Sequence, residues 1–163
     1  MIIGLPAYTL LHVLLSLGGI VSGLIVVGGL MAGRRYDRWI GIFLVTTLLT
    51  NATGFGFPFT RLLPSHILGG LALVILPFTF YAFYGKKLEA GWKRVFVITS
   101  VTTLYFNVFV LLAQLFAKVP GLIALAPTQQ SPAFGLTQLL ALAVFIILGR
   151  AASRGFLERR ADG

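Results

Sequence analysis

The stretch YTLLHVLLSLGGIVSGLIVVGGLMAGRR, Tyr8 to Arg35, decides the fold class. Its first 24 residues, Tyr8 to Met31, contain no acidic, lysine or arginine residue, and basic residues follow almost at once. About 20 apolar residues in a helix cross the ~30 Å hydrocarbon core of a bilayer, because each residue advances 1.5 Å. The stretch therefore predicts a membrane-spanning helix that ends at a basic connection.

The rest of the chain repeats this pattern. Further apolar segments are Trp39–Gly56, His66–Tyr84, Val95–Ala117 and Phe134–Leu148. The 163 residues are 58% hydrophobic and 10% charged, which is more apolar surface than a soluble domain of this length can bury. We predict an all-α membrane protein with a bundle of five transmembrane helices in residues 1–149 and a basic cytoplasmic tail in residues 150–163. The second and fifth segments are the shortest.

Basic residues are distributed unevenly among the connections. Eleven of the 13 lysines and arginines follow the first, third and fifth segments, and only Arg61 and Lys118 lie in the other two connections. Because cytoplasmic loops are enriched in lysine and arginine, we expect the N-terminus outside the cytoplasm and the C-terminus inside. Topology then accounts for the net charge of +9. The lipid bilayer is the expected partner, and no nucleic acid is expected.

Two residue types are missing where chemistry would need them. The chain has no cysteine, which excludes disulfides, thiolate metal sites, iron–sulfur clusters and cysteine nucleophiles. All four acidic residues follow the first, third or fifth segment, so none lies inside an apolar segment. A serine, histidine and carboxylate triad on the outer side is therefore poorly supported.

The two histidines are the candidate ligands. Counting at 1.5 Å per residue places His12 roughly 11 Å and His66 roughly 14 Å outward of the membrane midplane. Two neutral imidazoles at one depth could hold a b-type haem or a transition metal, and Arg61 and Lys118 could pair with haem propionates. The alternative is that each histidine is an interfacial imidazole bonded to a carbonyl group or to water.

Amide side chains in the apolar segments suggest a polar pocket that opens outward. Asn51, Gln114 and Gln138 lie in the outer halves of their segments, and Asn107 lies deeper. Asn107 and Gln114 share one helical face with Ser100 and Thr103, and we expect that face to point into the bundle. The alternative is that these groups only form packing contacts between helices, worth about 0.6 kcal/mol each.

Four strings in the sequence carry a family resemblance. They are LTNATGFGFPF (Leu49–Phe59), LPSH (Leu63–His66), YFNVFVLLAQ (Tyr105–Gln114) and LAPTQ (Leu125–Gln129). The chain resembles, over nearly its whole length, a family of small, uncharacterised bacterial multi-pass inner-membrane proteins. The resemblance implies a bacterial inner-membrane location and no particular reaction.

Three functional hypotheses follow from these observations. The first is a membrane protein with a redox role that binds haem or a metal at His12 and His66. The second is a non-catalytic accessory or assembly subunit of a larger membrane complex. The third is a transporter or a protein that binds a small molecule or a lipid in an outward-facing pocket.

Overall fold

The computed structural model describes residues 5–58 and 62–158. Within these residues the chain forms six α-helices and no strand. The helices are α1 (Leu5–Met31), α2 (Asp37–Gly54), α3 (Pro64–Phe80), α4 (Trp92–Lys118), α5 (Pro120–Leu125) and α6 (Pro132–Glu158). A π-helical turn, Tyr81–Gly85, extends α3 and follows Pro77, whose ring nitrogen cannot donate to the helix ladder.

Four helical segments are long and apolar enough to cross a membrane. They are Pro6–Met31, Pro64–Gly85, Trp92–Lys118 and Pro132–Glu158. Large apolar side chains point away from the bundle, and Leu14, Val74 and Ile147 are 58%, 64% and 65% exposed. Such a surface is stable in lipid and would associate in water. The prediction of an all-α, multi-pass membrane protein is confirmed at this level.

Helix α2 is less apolar, yet it follows α1 over nearly its whole length. The two helices are antiparallel, with Gly29 against Tyr36, Gly23 against Phe43, Gly19 against Thr47 and His12 against Thr53. From Gly29 to His12 this pairing extends over about 26 Å of helix. Small residues at these positions of α1 allow the close approach. Helix α2 therefore covers the same depth as α1.

The main apolar core lies in one half of the bundle. Its fully buried members include Leu30, Phe43, Leu76, Phe96 and Leu104, contributed by α1, α2, α3 and α4. Helix α6 adds further aromatic rings to this cluster from the side of α4. Of the hydroxyl and amide groups of α4 expected to face inward, Ser100, Thr103 and Asn107 are buried, whereas Gln114, nearer the end of the helix, is exposed.

The connections predicted to be cytoplasmic meet at one end of the bundle. Arg35 Nη1 donates to the backbone oxygen of Lys87 at 3.4 Å, and the Arg35 guanidinium lies 5.0 Å from the centre of the Phe83 ring. Near the end of α6, Gly155 lies against the backbone of Met31. We call this the basic end: the connections 32–36 and 86–91 and the last turns of α6. The opposite end, which holds His12, His66 and Lys118, is the histidine end.

Helix α6 is longer than the apolar segment that predicts it. It continues to Glu158, so the predicted domain boundary at Arg150 falls inside a helix. At the histidine end, the short helix α5 connects α4 to α6, and Ala126 just after it is buried with Phe116 and Phe134. The connection between α4 and α6 is thus packed against the helix ends that it joins.

Candidate functional site

A cavity of about 730 Å³ occupies the histidine half of the bundle. Helices α1 to α4 and the connection between α2 and α3 form its walls. Along α4 it extends from Asn107 to Lys118, about 17 Å of helix. Six of the predicted site residues line it: His12, Asn51, His66, Asn107, Gln114 and Lys118. We call this space the histidine cavity.

His12 is held by α2. Its Nδ1 lies 2.8 Å from the hydroxyl oxygen of Thr53, and that hydroxyl donates to the backbone oxygen of Leu49 at 2.7 Å. A hydroxyl has only one proton to donate, so Thr53 accepts from His12 and Nδ1 carries the imidazole proton. Neutral His12 therefore has its lone pair on Nε2, where it can accept a hydrogen bond. Phe57 packs edge-on against the ring, with centroids 5.1 Å apart.

His66 is held in the opposite tautomer. It is the third residue of α3, and its Nδ1 accepts the backbone N–H of Leu63 at 3.1 Å, which satisfies a donor at the helix N-terminus. Because Nδ1 accepts, neutral His66 carries its proton on Nε2. The two imidazoles that line the cavity are thus held in opposite tautomers.

These tautomers bear on metal ligation. A metal ion binds a nitrogen lone pair, and the lone pair of His66 is already used by the Leu63 N–H. Shared ligation would require His66 to give up this bond and move its proton. Within residues 5–58 and 62–158, no three His, Cys, Asp or Glu side chains are grouped so that they could hold a metal ion. The arrangement favours hydrogen bonding by the imidazoles over coordination.

The two asparagines share one residue of α2. Asn51 Nδ2 donates to the backbone oxygen of Thr47 at 2.8 Å, and Asn107 Nδ2 approaches the Thr47 hydroxyl at 3.4 Å. Both amide nitrogens are therefore used inside the bundle, which leaves the carbonyl oxygens as acceptors. Asn107 faces the bundle and is 5% exposed, as its position on the polar face of α4 predicts.

Further groups give the cavity an amphipathic wall. Thr50 lines it, and its buried hydroxyl oxygen has no hydrogen-bond partner within the described part of the chain. A buried hydroxyl without a partner is costly unless water or a ligand supplies one. Apolar side chains cover the rest of the wall, among them Val13, Leu17, Val110 and Leu111. Lys118 adds a cation at the histidine end.

One predicted site residue within the described chain does not line this cavity. Gln138 on α6 donates from Nε2 to the backbone oxygen of Phe109 at 3.2 Å and lies outside the cavity lining. Its Oε1 is buried without a partner in the residues described. The prediction that Gln138 joins the pocket differs from the structure because α6 packs on another side of α4. Arg61 lies outside the described residues.

Sequence reasoning missed the residues that orient the histidines. Thr53 lies in a polar run of α2, and a threonine in a membrane helix usually donates to a carbonyl group of its own helix. Nothing in the sequence indicates that the same hydroxyl also accepts a hydrogen bond from His12. Tyr8 donates to the Thr53 backbone oxygen at 2.7 Å and closes the end of α1 against α2. An edge-on contact with Phe57, 4.9 Å between centroids, places Tyr8 beside the cavity mouth.

Comparison with known proteins gives no relative for this site. No family model matches the chain, and neither a curated protein nor a solved structure matches it.

Proposed function

We propose that this chain is a five-span inner-membrane protein of bacteria that binds a small amphipathic molecule in the histidine cavity. The observation that carries the proposal is a cavity of about 730 Å³ whose polar groups lie inside an otherwise apolar bundle. Polar side chains in a membrane bundle are rare and costly, and they commonly mark ligand pathways or sites. The protein then acts as a binding or transport protein, which is the third hypothesis from the sequence.

The membrane arrangement of the proposal rests on α2. Helix α2 is only modestly apolar, but it contacts α1 in antiparallel register at successive positions over about 26 Å. If α1 crosses the bilayer, α2 crosses it in the opposite direction. With the basic end in the cytoplasm by the positive-inside rule, the histidine cavity faces the periplasm. The bacterial inner membrane follows from the sequence resemblance.

The chemistry of the walls defines the ligand class. Lys118 can donate hydrogen bonds to a ligand, while His12 Nε2 and the amide oxygens of Asn51 and Asn107 can accept them. A head group with a carbonyl or anionic oxygen together with a hydroxyl complements both sets. The apolar wall suits a ring or short chain. Quinones and fatty acids supply the carbonyl or carboxylate oxygen and the apolar tail, and the quinol and the protonated acid supply the hydroxyl.

Cavity filling tests the proposal. Ser16 lines the cavity, so Ser16→Phe places a ring in it, whereas Leu14→Phe adds bulk to a lipid-facing position of the same helix. We expect decylubiquinone or dodecanoate to raise the Tm of the wild-type protein in mild detergent by roughly 5 °C at saturating concentration. Ser16→Phe should abolish this shift, and Leu14→Phe should retain it. A shift that persists in Ser16→Phe, or no shift with either probe in the wild type, would overturn the proposal.

Haem or metal binding at His12 and His66 stays a prediction. Both histidines line one cavity, but the hydrogen bond from Leu63 to His66 weighs against joint ligation. An absorption spectrum of the purified protein separates the two readings, since bis-histidine haem gives a Soret band and a quinone or fatty acid does not.

A further inference from the structure

A second concave site lies on the outside of the bundle, between α4 and α6. This α4–α6 groove has a volume of about 660 Å³ and is separate from the histidine cavity, with which it shares no lining residue. Its floor is formed by Val101 and Phe145, and Tyr105 lies beside them. Ile98 and Ile146 form part of the rims and are 54% and 48% exposed. A groove with such walls faces the acyl chains of the bilayer.

Two arginines line the groove where it reaches the basic end of the bundle. Arg150 and Arg154 line it there, one turn apart on α6, with Ser153 between them. Both arginines are exposed, and neither forms an ion pair within the residues described. Gly149 lies against Val101, so Arg150 is at about the level of Ser100 on the antiparallel helix α4. That is about 12 Å, or eight residues, from the start of α4 at Trp92.

Arg150 lies deeper along the bundle than a basic residue whose only role is to keep a helix end in water. An unpaired arginine inside an apolar span is costly, and long basic side chains at such positions extend toward the interface to reach anionic groups. On the two helices that form the groove, the other charged groups of the described residues toward this end are Lys93, Arg94 and Glu158. Two of these three are also basic, so the local field favours an anion.

We propose that the α4–α6 groove binds one anionic phospholipid from the leaflet at the basic end. One acyl chain lies along Val101 and Phe145, and the phosphate is held by Arg150 and Arg154. Guanidinium groups bind phosphate through two parallel hydrogen bonds, and the Ser153 hydroxyl can add another. Charge complementarity identifies the occupant: an apolar groove with two exposed arginines at one end matches an acyl chain joined to a phosphate.

Native mass spectrometry of the purified protein tests this site. The protein is delipidated in mild detergent and titrated with palmitoyl-oleoyl phosphatidylglycerol or the zwitterionic phosphatidylcholine of the same chains. We expect one phosphatidylglycerol to bind with clear preference over phosphatidylcholine. The double variant Arg150→Gln, Arg154→Gln should bind phosphatidylglycerol roughly thirtyfold more weakly. Each basic residue near a membrane surface increases the affinity for anionic lipid about fivefold, and two are removed.

Matched controls separate a built site from general attraction. Arg34→Gln, Arg38→Gln removes the same charge at the same end, away from the groove, and should bind as the wild type does. Thr102→Phe fills the groove without changing any charge and should also weaken binding, whereas Leu139→Phe, at a position 64% exposed on α6, should not. Excess glycerol 3-phosphate should not displace the lipid, since it lacks the acyl chain.

Two outcomes would overturn the proposal. Equal losses in the Arg150, Arg154 and Arg34, Arg38 double variants would show diffuse electrostatic attraction. Unchanged binding in Thr102→Phe would show that no acyl chain occupies the groove. If the arginine variant does not elute as folded protein, the comparison of Thr102→Phe with Leu139→Phe decides the question by itself.

Discussion

Among single residues, the two histidines have opposite hydrogen-bonding roles at Nδ1. A hydroxyl on α2 fixes the proton of His12 on Nδ1, and a backbone N–H at the start of α3 fixes that of neutral His66 on Nε2. The two imidazoles of the cavity are thereby oriented in opposite tautomers without any carboxylate. The hydrogen bond that His66 accepts from Leu63 weighs against shared ligation of a metal ion.

The tautomers can be measured directly, because the chain has only two histidines. In protein labelled with ¹⁵N-histidine, we expect one ring protonated on Nδ1 and the other on Nε2 at a pH well above the ordinary histidine pKa of about 6.5. Thr53→Val removes the acceptor of His12 and should release that ring from its tautomer while His66 keeps its own. His66→Gln assigns the signals.

The contrary result is equally clear. Two rings protonated on Nδ1, together with a Soret band that is lost in both His12→Ala and His66→Ala, would show that His66 has released Leu63 to bind iron. The haem hypothesis would then replace the proposed ligand class.

At the scale of helices, apolar length predicts most of the fold. The segment Trp39–Gly56 corresponds to α2, Asp37–Gly54, and the polar positions of α4 predict its buried face. Rotation about a helix axis is less predictable, because the rise per residue gives depth and not direction. Gln138 has a depth consistent with the pocket, yet its helix lies across α4 from the cavity. The contact between Thr53 and His12 could not be predicted from the sequence either, because it depends on how α1 and α2 pack.

Glycine contacts give a stability prediction for α6. A methyl group at Gly155 would overlap the backbone of Met31 and lie 2.7 Å from the Leu30 oxygen, and backbone atoms cannot move aside as side chains do. Gly155→Ala should therefore force α6 away from α1 and destabilise the protein by about 1–3 kcal/mol. Gly135, on the same helix, has nothing within 4 Å of an added Cβ, so Gly135→Ala should be neutral or slightly stabilising.

Thermal unfolding in one detergent checks this pair. We expect the Tm of Gly155→Ala to fall by several degrees and that of Gly135→Ala to stay within about one degree of the wild type. Similar Tm values for the two variants would mean that α6 and α1 do not cross closely at the basic end.

At the scale of the whole molecule, the two halves of the bundle differ. The basic half is filled by the main apolar core, and the histidine half is hollow and polar. Most basic residues of the described chain flank the filled half, where they can contact anionic lipid, and Lys118 is at the hollow end. The filled half can hold the helices rigidly while the open half admits a molecule, which is the division expected of a membrane protein that binds a ligand from one side.

The direction of this asymmetry, and the crossing of α2, can be tested with single cysteines because the chain has none of its own. Leu62 and Gln129 are exposed at the histidine end, and Glu89 is exposed at the basic end. An impermeant maleimide added to intact bacterial spheroplasts should label Leu62→Cys and Gln129→Cys, and it should label Glu89→Cys only after lysis. This follows if five helices cross and the basic connections stay in the cytoplasm. Because Leu62 and Gln129 lie at one end of the bundle and Glu89 at the other, protection of the first two together with labelling of Glu89 would mean that the bundle is inverted. Labelling of all three cysteines in intact spheroplasts, or of none, would contradict helices that cross the bilayer between the two ends.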